Sequence, residues 1–284
     1  MFAHVDDNSM DSSPLLAIRD LDVRFGGLRA LSEISVDIHR SEVVAIVGPN
    51  GAGKTTLLNA ISGLLGDSVS GEVILSGKSL LHSHPAAIAA AGVARSFQNP
   101  PLIESETVLQ NILLGAHLRL RYRMIDQIVR RRAVAAREQE ATQLAIVVLQ
   151  FAGLASVIDR PVAGLPYGSR KIIDIARTLM SSPKLLLLDE PTSGLDVHER
   201  ELVRNLLVEL RKSTELAILV VEHHMDIVRA TADRVIGLQA GAVLAVGSAA
   251  EVLDSEAFRS SVVGTRHETP SEPVIDTTTG RPVA

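Results

Sequence analysis

Apolar and polar residues alternate from Leu15 to Ile38 (LLAIRDLDVRF, then ISVDI), which predicts two or three strands of a small antiparallel sheet. Other apolar runs are unbroken. Glu42–Val47 reads as a buried strand, and so do Lys184-Leu-Leu-Leu-Leu-Asp189 and Leu216–Val221; continuous runs of this kind belong to strands covered on both faces. Between them, helices are predicted over Leu57–Ser62, near Ala86–Ala91, from Thr107 to about Ala155, over Lys171–Leu179 and over Val197–Lys212, with a short one at Ala249–Leu253. Val73–Leu75 and Val93–Gln98 add strands, and Gln239-Ala-Gly241 turns a hairpin between Arg234–Leu238 and Ala242–Val246. Strands alternating with helices give an α/β class. Residues 1–13 read as a disordered lead-in and 265–284, rich in Thr, Pro and Glu, as a disordered tail. No internal repeat is evident.

Composition narrows the class. The 284 residues suit one large domain or one and a half, and 46% hydrophobic content is ample for a core. A net charge of −5 argues against general nucleic-acid binding. There is no cysteine, which excludes disulfides and thiolate metal sites. No apolar run approaches the ~18 residues of a membrane span, and the acidic Met1–Ser13 has no signal-peptide pattern. These features predict a soluble, cytosolic protein unless a partner holds it at a membrane.

The densest chemistry lies at Gly48-Pro49-Asn50-Gly51-Ala52-Gly53-Lys54-Thr55-Thr56, which fits the phosphate-binding pattern G-x-x-x-x-G-K-[ST] between a strand and a helix. Its glycines let successive N–H groups turn toward phosphate oxygens, and the following helix adds its positive end. Lys54 can reach the β- and γ-phosphates and the Thr55 hydroxyl can hold Mg²⁺. Asp189 and Glu190 end a buried strand, where ligands sit in open α/β sheets; Asp189 is placed to hold Mg²⁺, and Glu190 to accept a proton from water. His223, at the end of another buried strand, can donate to a γ-phosphate oxygen. His223 and His224 do not suggest a metal site, because neighbours in extended chain point oppositely and no third ligand is evident.

Other positions stay open on their own residues. Phe25, beside Gly26-Gly27 in a chain with only five Phe and two Tyr, is either a stacking platform for a base or a strand-end core residue. Gln98 ends a strand, where amides are often solvated. Leu165-Pro-Tyr-Gly-Ser169 opens a helix whose unpaired N–H groups can receive an anion, as can the starts of many helices that bind nothing. Arg119, Arg121, Arg123, Arg130, Arg131, Arg132 and Arg137 make the middle of the long helical stretch basic. They form either a solvated face with Glu138 and Glu140 as partners or a contact for anionic lipid or an acidic protein surface.

The order of these pieces — phosphate loop, Gln98, helical insert, Leu165–Ser169, Leu185–Glu190, Ser193-Gly-Leu-Asp196, His223 — resembles the ATP-binding subunits of ATP-binding-cassette (ABC) transporters over about residues 14–264. The resemblance implies a P-loop NTPase (RecA-like) core with an antiparallel β subdomain and an inserted helical subdomain at about 99–182. It implies ATP and Mg²⁺ as cofactors, and Phe25 as the residue stacking on adenine. Gly48–Thr56 become the Walker A loop, and Gln98 the glutamine that touches Mg²⁺ and relays to the membrane partner. Leu165–Ser169 become the signature motif, Leu185–Asp189 Walker B, Glu190 the general base and His223 the switch histidine. Family members work as head-to-tail dimers, with ATP between Walker A of one subunit and Gly168 and Ser169 of the other. The resemblance further implies a homodimer or a heterodimer with a paralogous ATPase, two transmembrane permeases, an external solute-binding protein met indirectly, no nucleic acid, and a peripheral place on the cytoplasmic face of the inner membrane.

Two positions depart from the pattern. The signature, usually L-S-G-G-Q, reads L-P-Y-G-S, so Pro166 offers neither hydroxyl nor N–H to a γ-phosphate and weaker closure is expected; His224 stands where aspartate is common. Phe25–Leu31, the tyrosine-bearing signature, Glu222-His223 before Met225 and the long insert are similar to the branch serving branched-chain amino acid importers and their urea or amide relatives. The rivals are a soluble ABC ATPase acting on nucleic acid or ribosomes, an exporter subunit, and a P-loop GTPase or kinase. The last lacks an Asn-Lys-x-Asp element and leaves Leu165–Ser169 and His223 unexplained.

Overall fold

The alternating N-terminal segment folds as one hairpin. Strands β1 (Leu16–Phe25) and β2 (Leu28–Ile38) pair antiparallel, with Phe25 opposite Leu28 across Gly26-Gly27. Gly26 takes a φ of 57°, which the tight turn requires and which glycine adopts without a Cβ clash. Strands β4 (Val69–Leu75) and β5 (Lys78–Ser79) complete a four-stranded antiparallel sheet in the order β2-β1-β4-β5. The computed structural model describes residues 13–96, 101–116 and 131–264.

A six-stranded sheet forms the centre, in the order β10-β9-β3-β8-β7-β6. Its strands are β3 (Val43–Val47), β6 (Val93–Arg95), β7 (Leu185–Asp189), β8 (Ala217–Val221), β9 (Arg234–Gln239) and β10 (Ala242–Gly247). All neighbours run parallel except the β9–β10 hairpin. Every residue of β3, β7 and β8 is buried, because the sheet separates two cores and each strand feeds both. Leu186, Leu188, Ile218 and Val220 join one core, with helices α3 (Val108–Leu114), α4 (Arg131–Phe151), α5 (Tyr167–Leu179) and α6 (Val197–Ser213). Leu185, Leu187, Leu219 and Val221 join the other, with the antiparallel sheet, α1 (Lys54–Ile61) and α2 (Pro85–Ala91). Unbroken leucine runs are the sequence form of that two-sided burial.

The chain closes with α7 (Met225–Thr231), α8 (Ala249–Leu253) and α9 (Glu256–Gly264). Within the helical stretch expected from Thr107 to about Ala155, α3 ends at Leu114 in a turn at Gly115 and Ala116, α4 spans Arg131–Phe151, and residues 117–130 lie outside the described residues. Thr107 and Gln110 cap α3 reciprocally. Fully buried Asn111 then ties that helix to the preceding loop, accepting the Ile103 N–H at 2.8 Å and donating to the Ile103 and Thr107 carbonyls. Residues 1–12, Gln98, Arg119, Arg121, Arg123, Arg130 and 265–284 lie outside the described residues, so the readings placed on them stay expectations.

Candidate active site

Parallel strands bring their carboxyl ends to one edge of a sheet, and three described loops of this chain meet there. They follow β3 (the phosphate loop), β7 (Asp189 and Glu190) and β8 (Glu222, His223 and His224). The loop after β3 is shaped by close approach. A Cβ on Gly48 would lie 2.2 Å from the Leu238 carbonyl oxygen, and Gly53 holds a φ of 98° as the residue entering α1. Lys54 is buried, and its ammonium donates to the carbonyls of Gly48 and Pro49, each at 2.9 Å. Burial pushes this ammonium below the usual lysine range, against the pull of the Glu190 and Asp189 carboxylates.

A cavity of about 650 Å³ opens over this loop. Phe25, Asn50, Gly51, Gly53, Lys54, Thr55, Thr56 and Glu190 line it, together with Leu28, Arg29, Ala30, Ala240 and Gly241. Phe25 is 45% exposed at the hairpin tip and lines the cavity, so it is no core residue. Gly48, Pro49 and Ala52 complete the loop. Sequence reading expected the β9–β10 turn at Gln239-Ala240-Gly241 but gave it no part in the site. It reaches the site because the Gly241 N–H donates to the Ala52 carbonyl at 3.1 Å while its own carbonyl accepts from Ser32.

Opposite the loop, Asp189 is 5% exposed. Its Oδ1 accepts from the Thr55 hydroxyl at 3.3 Å, and its Oδ2 pairs with Arg95 at 3.0 Å. Glu190 sits one residue past the strand at a φ of 50°, which turns its carboxylate out of the sheet's alternation. Its Oε1 lies 2.6 Å from His223 Nε2. Glu222, 1% exposed, braces this edge: one oxygen accepts from the Thr192 N–H and hydroxyl, the other from the N–H groups of His223 and His224. His224 turns the opposite way from His223, with Nδ1 2.9 Å from the Thr192 hydroxyl. Lys171 on α5 holds the Glu190 loop from the far side, donating to the carbonyls of Glu190 at 3.0 Å and Ser193 at 2.7 Å. Arg95, Lys171, Thr192 and Glu222 act through chain-distant contacts, for which the sequence offered no pattern.

Such a pocket brings together an aromatic ring, a loop of N–H groups, an ammonium and a carboxylate backed by histidine. These groups can meet a base, polyphosphate and an attacking water. A model of the ABC transporter family matches residues 31–193. The chain belongs to the ABC transporter family. Across 241 residues it is 34% identical to the high-affinity branched-chain amino acid transport ATP-binding protein LivG of Salmonella typhimurium, over 85% of this chain and 94% of that one. The corresponding BraF protein of Pseudomonas aeruginosa is 32% identical over 244 residues, 86% of this chain and 95% of the relative. Among solved structures, a nucleotide-free ATP-binding cassette from an ABC transporter superposes with a TM-score of 0.73 at 29% identity, covering 86% of this chain and 97% of that one. Another cassette in its ADP conformation gives 0.74 at 28% identity, covering 88% and 98%. As an ABC cassette the chain is a nucleotide-binding ATPase with the mixed α/β P-loop fold.

In this ABC cassette Gly168 and Ser169 stand apart from the cavity, at the start of α5. Pro166 precedes the helix with no side-chain cap. The Gly168 N–H donates to Glu199 Oε1 at 3.0 Å. Glu199 also closes the capping box of α6 with Asp196, so one carboxylate serves the starts of two helices. A Cβ at Gly168 would fall 2.5 Å from the Glu199 carboxyl carbon, so a side chain there would require the Glu199 carboxylate to move. Among the described residues no helix is long and apolar enough to cross a membrane.

Proposed function

We propose that this chain is the ATP-hydrolysing subunit of an importer for branched-chain amino acids. It works as a head-to-tail dimer, with a copy of itself or a paralogue, under two membrane-spanning permease subunits on the cytoplasmic face of the membrane. The observation that carries the chemistry is the pairing of Glu190 with His223 at 2.6 Å across from the phosphate loop. Similarity to LivG and BraF over most of the chain supports the solute class.

The donor set fits Mg²⁺: a hydroxyl and a carboxylate oxygen, Thr55 Oγ1 and Asp189 Oδ1, lie 3.3 Å apart at the mouth of the loop, and phosphate oxygens complete such sites. Among the described residues no cluster of three or more His, Asp or Glu competes for a metal. When bound, Mg²⁺ supplies positive charge to the β- and γ-phosphate oxygens. Phe25 stacks on the base. Lys54 exchanges its two carbonyl acceptors for phosphate oxygens. Glu190 orients the water and takes its proton, and His223 fixes the Glu190 carboxylate and donates toward the γ-phosphate. Gln98 serves as the link to the metal and the permease. Gly168 and Ser169 of the second subunit close the sandwich.

A second cavity, about 380 Å³, lies between α2 and β6 on one side and α3 and α5 on the other. Half-exposed Leu64 and Leu114 rim it, and Arg95 and Arg177 reach into it. Arg95 is paired with Asp189 and Arg177 with Asp174, so the groove is mainly apolar, which suits the apolar face of a short permease helix. Affinity capture of the tagged protein from native membranes in mild detergent tests this reading. The expected result is co-purification of two polytopic membrane proteins, with leucine uptake lost on deletion of the chain. Recovery alone or with ribosomal material overturns the transport reading, and loss of urea uptake with leucine uptake intact overturns the solute.

A further inference from the structure

Asp189 is a buried carboxylate with a resident cation. Arg95 approaches from the edge strand β6, which runs parallel to β7 with Arg95 in register with Leu187. Its Nη2 pairs with Asp189 Oδ2 at 3.0 Å, and the two side chains are only 11% and 6% exposed. The guanidinium is itself anchored on α1, where Nη1 donates to Asn59 Oδ1 at 2.7 Å and to the Ser62 hydroxyl at 3.4 Å. The two oxygens of Asp189 are therefore divided. One faces Thr55 and the phosphate loop, and the other is neutralised from behind by a fixed positive charge.

We propose that Arg95 is a positioning residue that sets the divalent-cation affinity of this site, resting on the assignment of Asp189 and Thr55 to Mg²⁺. A buried carboxylate left unpaired would draw a free divalent ion strongly, because little water screens the attraction. Arg95 removes that attraction while the phosphate loop is empty of phosphate, and it holds Oδ1 toward Thr55. A metal arriving alone meets a neutral pair beside a cation. A metal arriving on a polyphosphate brings its own negative charge and is accepted. The arrangement makes metal entry depend on nucleotide.

Titration of the purified protein with Mn²⁺ in the absence of nucleotide, following the free-ion signal by electron paramagnetic resonance, tests this. Arg95→Met is expected to bind Mn²⁺ at least about tenfold more tightly than the wild type, since a single charge near a divalent ion is worth that much even when partly screened. Arg95→Gln, which keeps a hydrogen-bonding amide without the charge, is expected to behave like the methionine variant and covers the case in which Arg95→Met does not fold. Arg95→Lys, which keeps the charge, is expected to stay within about twofold of the wild type. Equal or weaker Mn²⁺ binding by both neutral variants overturns the proposal. The double variant Arg95→Met with Asp189→Asn separates the two assignments. Retention of the tight Mn²⁺ site in the double variant would show that Asp189 is not the ligand and would remove the metal reading itself.

Discussion

The phosphate loop and the start of α5 are both built to meet anions, and both have their donors already engaged. The acceptors differ. Lys54 donates to two neutral carbonyls of its own loop, whereas the Gly168 N–H donates to the ionised side chain of Glu199. Both sets of bonds involve one charged group, so what differs is the charge an arriving anion meets. A phosphate arriving at Lys54 exchanges neutral carbonyls for an acceptor of opposite charge to the ammonium. A phosphate arriving at Gly168 must compete with a carboxylate of like charge. With Pro166 in the place of a hydroxyl donor, the α5 corner is the weaker half of the proposed sandwich, and the loop corner can bind nucleotide without it.

The largest test of this contrast is at the strong corner. Glu190→Gln is expected to lower steady-state ATP hydrolysis by at least about 100-fold, the ordinary contribution of a general base, while nucleotide affinity measured by fluorescent-analogue titration changes less than about twofold. Brisk hydrolysis by that variant would remove Glu190 as the base. At the weak corner, Pro166→Ser restores a hydroxyl, and a hydrogen bond to a charged oxygen, worth about 1.5 kcal/mol at the low end, predicts a rise in hydrolysis of about tenfold at saturating ATP. Glu199→Gln keeps the capping geometry and removes the competing charge. It should strengthen ATP-dependent dimerisation of the base-inactive protein by a few-fold in analytical ultracentrifugation and cost under about 1 kcal/mol in urea unfolding. If dimerisation is unchanged, the competition between Glu199 and phosphate is not limiting.

The smallest effect concerns Lys171, which clamps the Glu190 loop. Burial pushes its ammonium below the usual lysine range. The unfolded chain therefore holds this proton to higher pH than the folded one does. Between the lowered folded value and the unfolded one, stability rises with pH. The wild type is expected to gain on Lys171→Met as pH climbs toward the unfolded value, by less than about 1.4 kcal/mol per pH unit. A flat difference across that range would mean that Lys171 keeps its proton to the same pH in both states.

Sequence legibility divided along the same line. The phosphate loop, the leucine run of β7 and the strand before His223 are contiguous, so geometry and chemistry are written within a few residues of each other. Phe25 stood open on its own residues between a stacking platform and a core residue, and its 45% exposure removes the second reading. What stayed hidden joins distant parts of the chain: Gly168 to Glu199 across 31 residues, Arg95 to Asp189 across 94. Those partners are ordinary charged residues on a helix and an edge strand, with nothing local to mark them. The end of α3 was hidden for a different reason, since the apolar spacing carries on past Leu114 while Gly115 and Ala116 form a turn.

Glu190 also bears on how this protein can change. Its backbone sits at a φ of 50°, where a side chain costs on the order of 1 kcal/mol and glycine costs nothing. A screen for heat resistance and a screen for activity would thus pull the position in opposite directions. Glycine would be enriched by the first and discarded by the second. Libraries sorted on stability alone would accumulate well-folded proteins that hold nucleotide and do not turn it over, and recombination with active siblings would have to keep this one codon fixed.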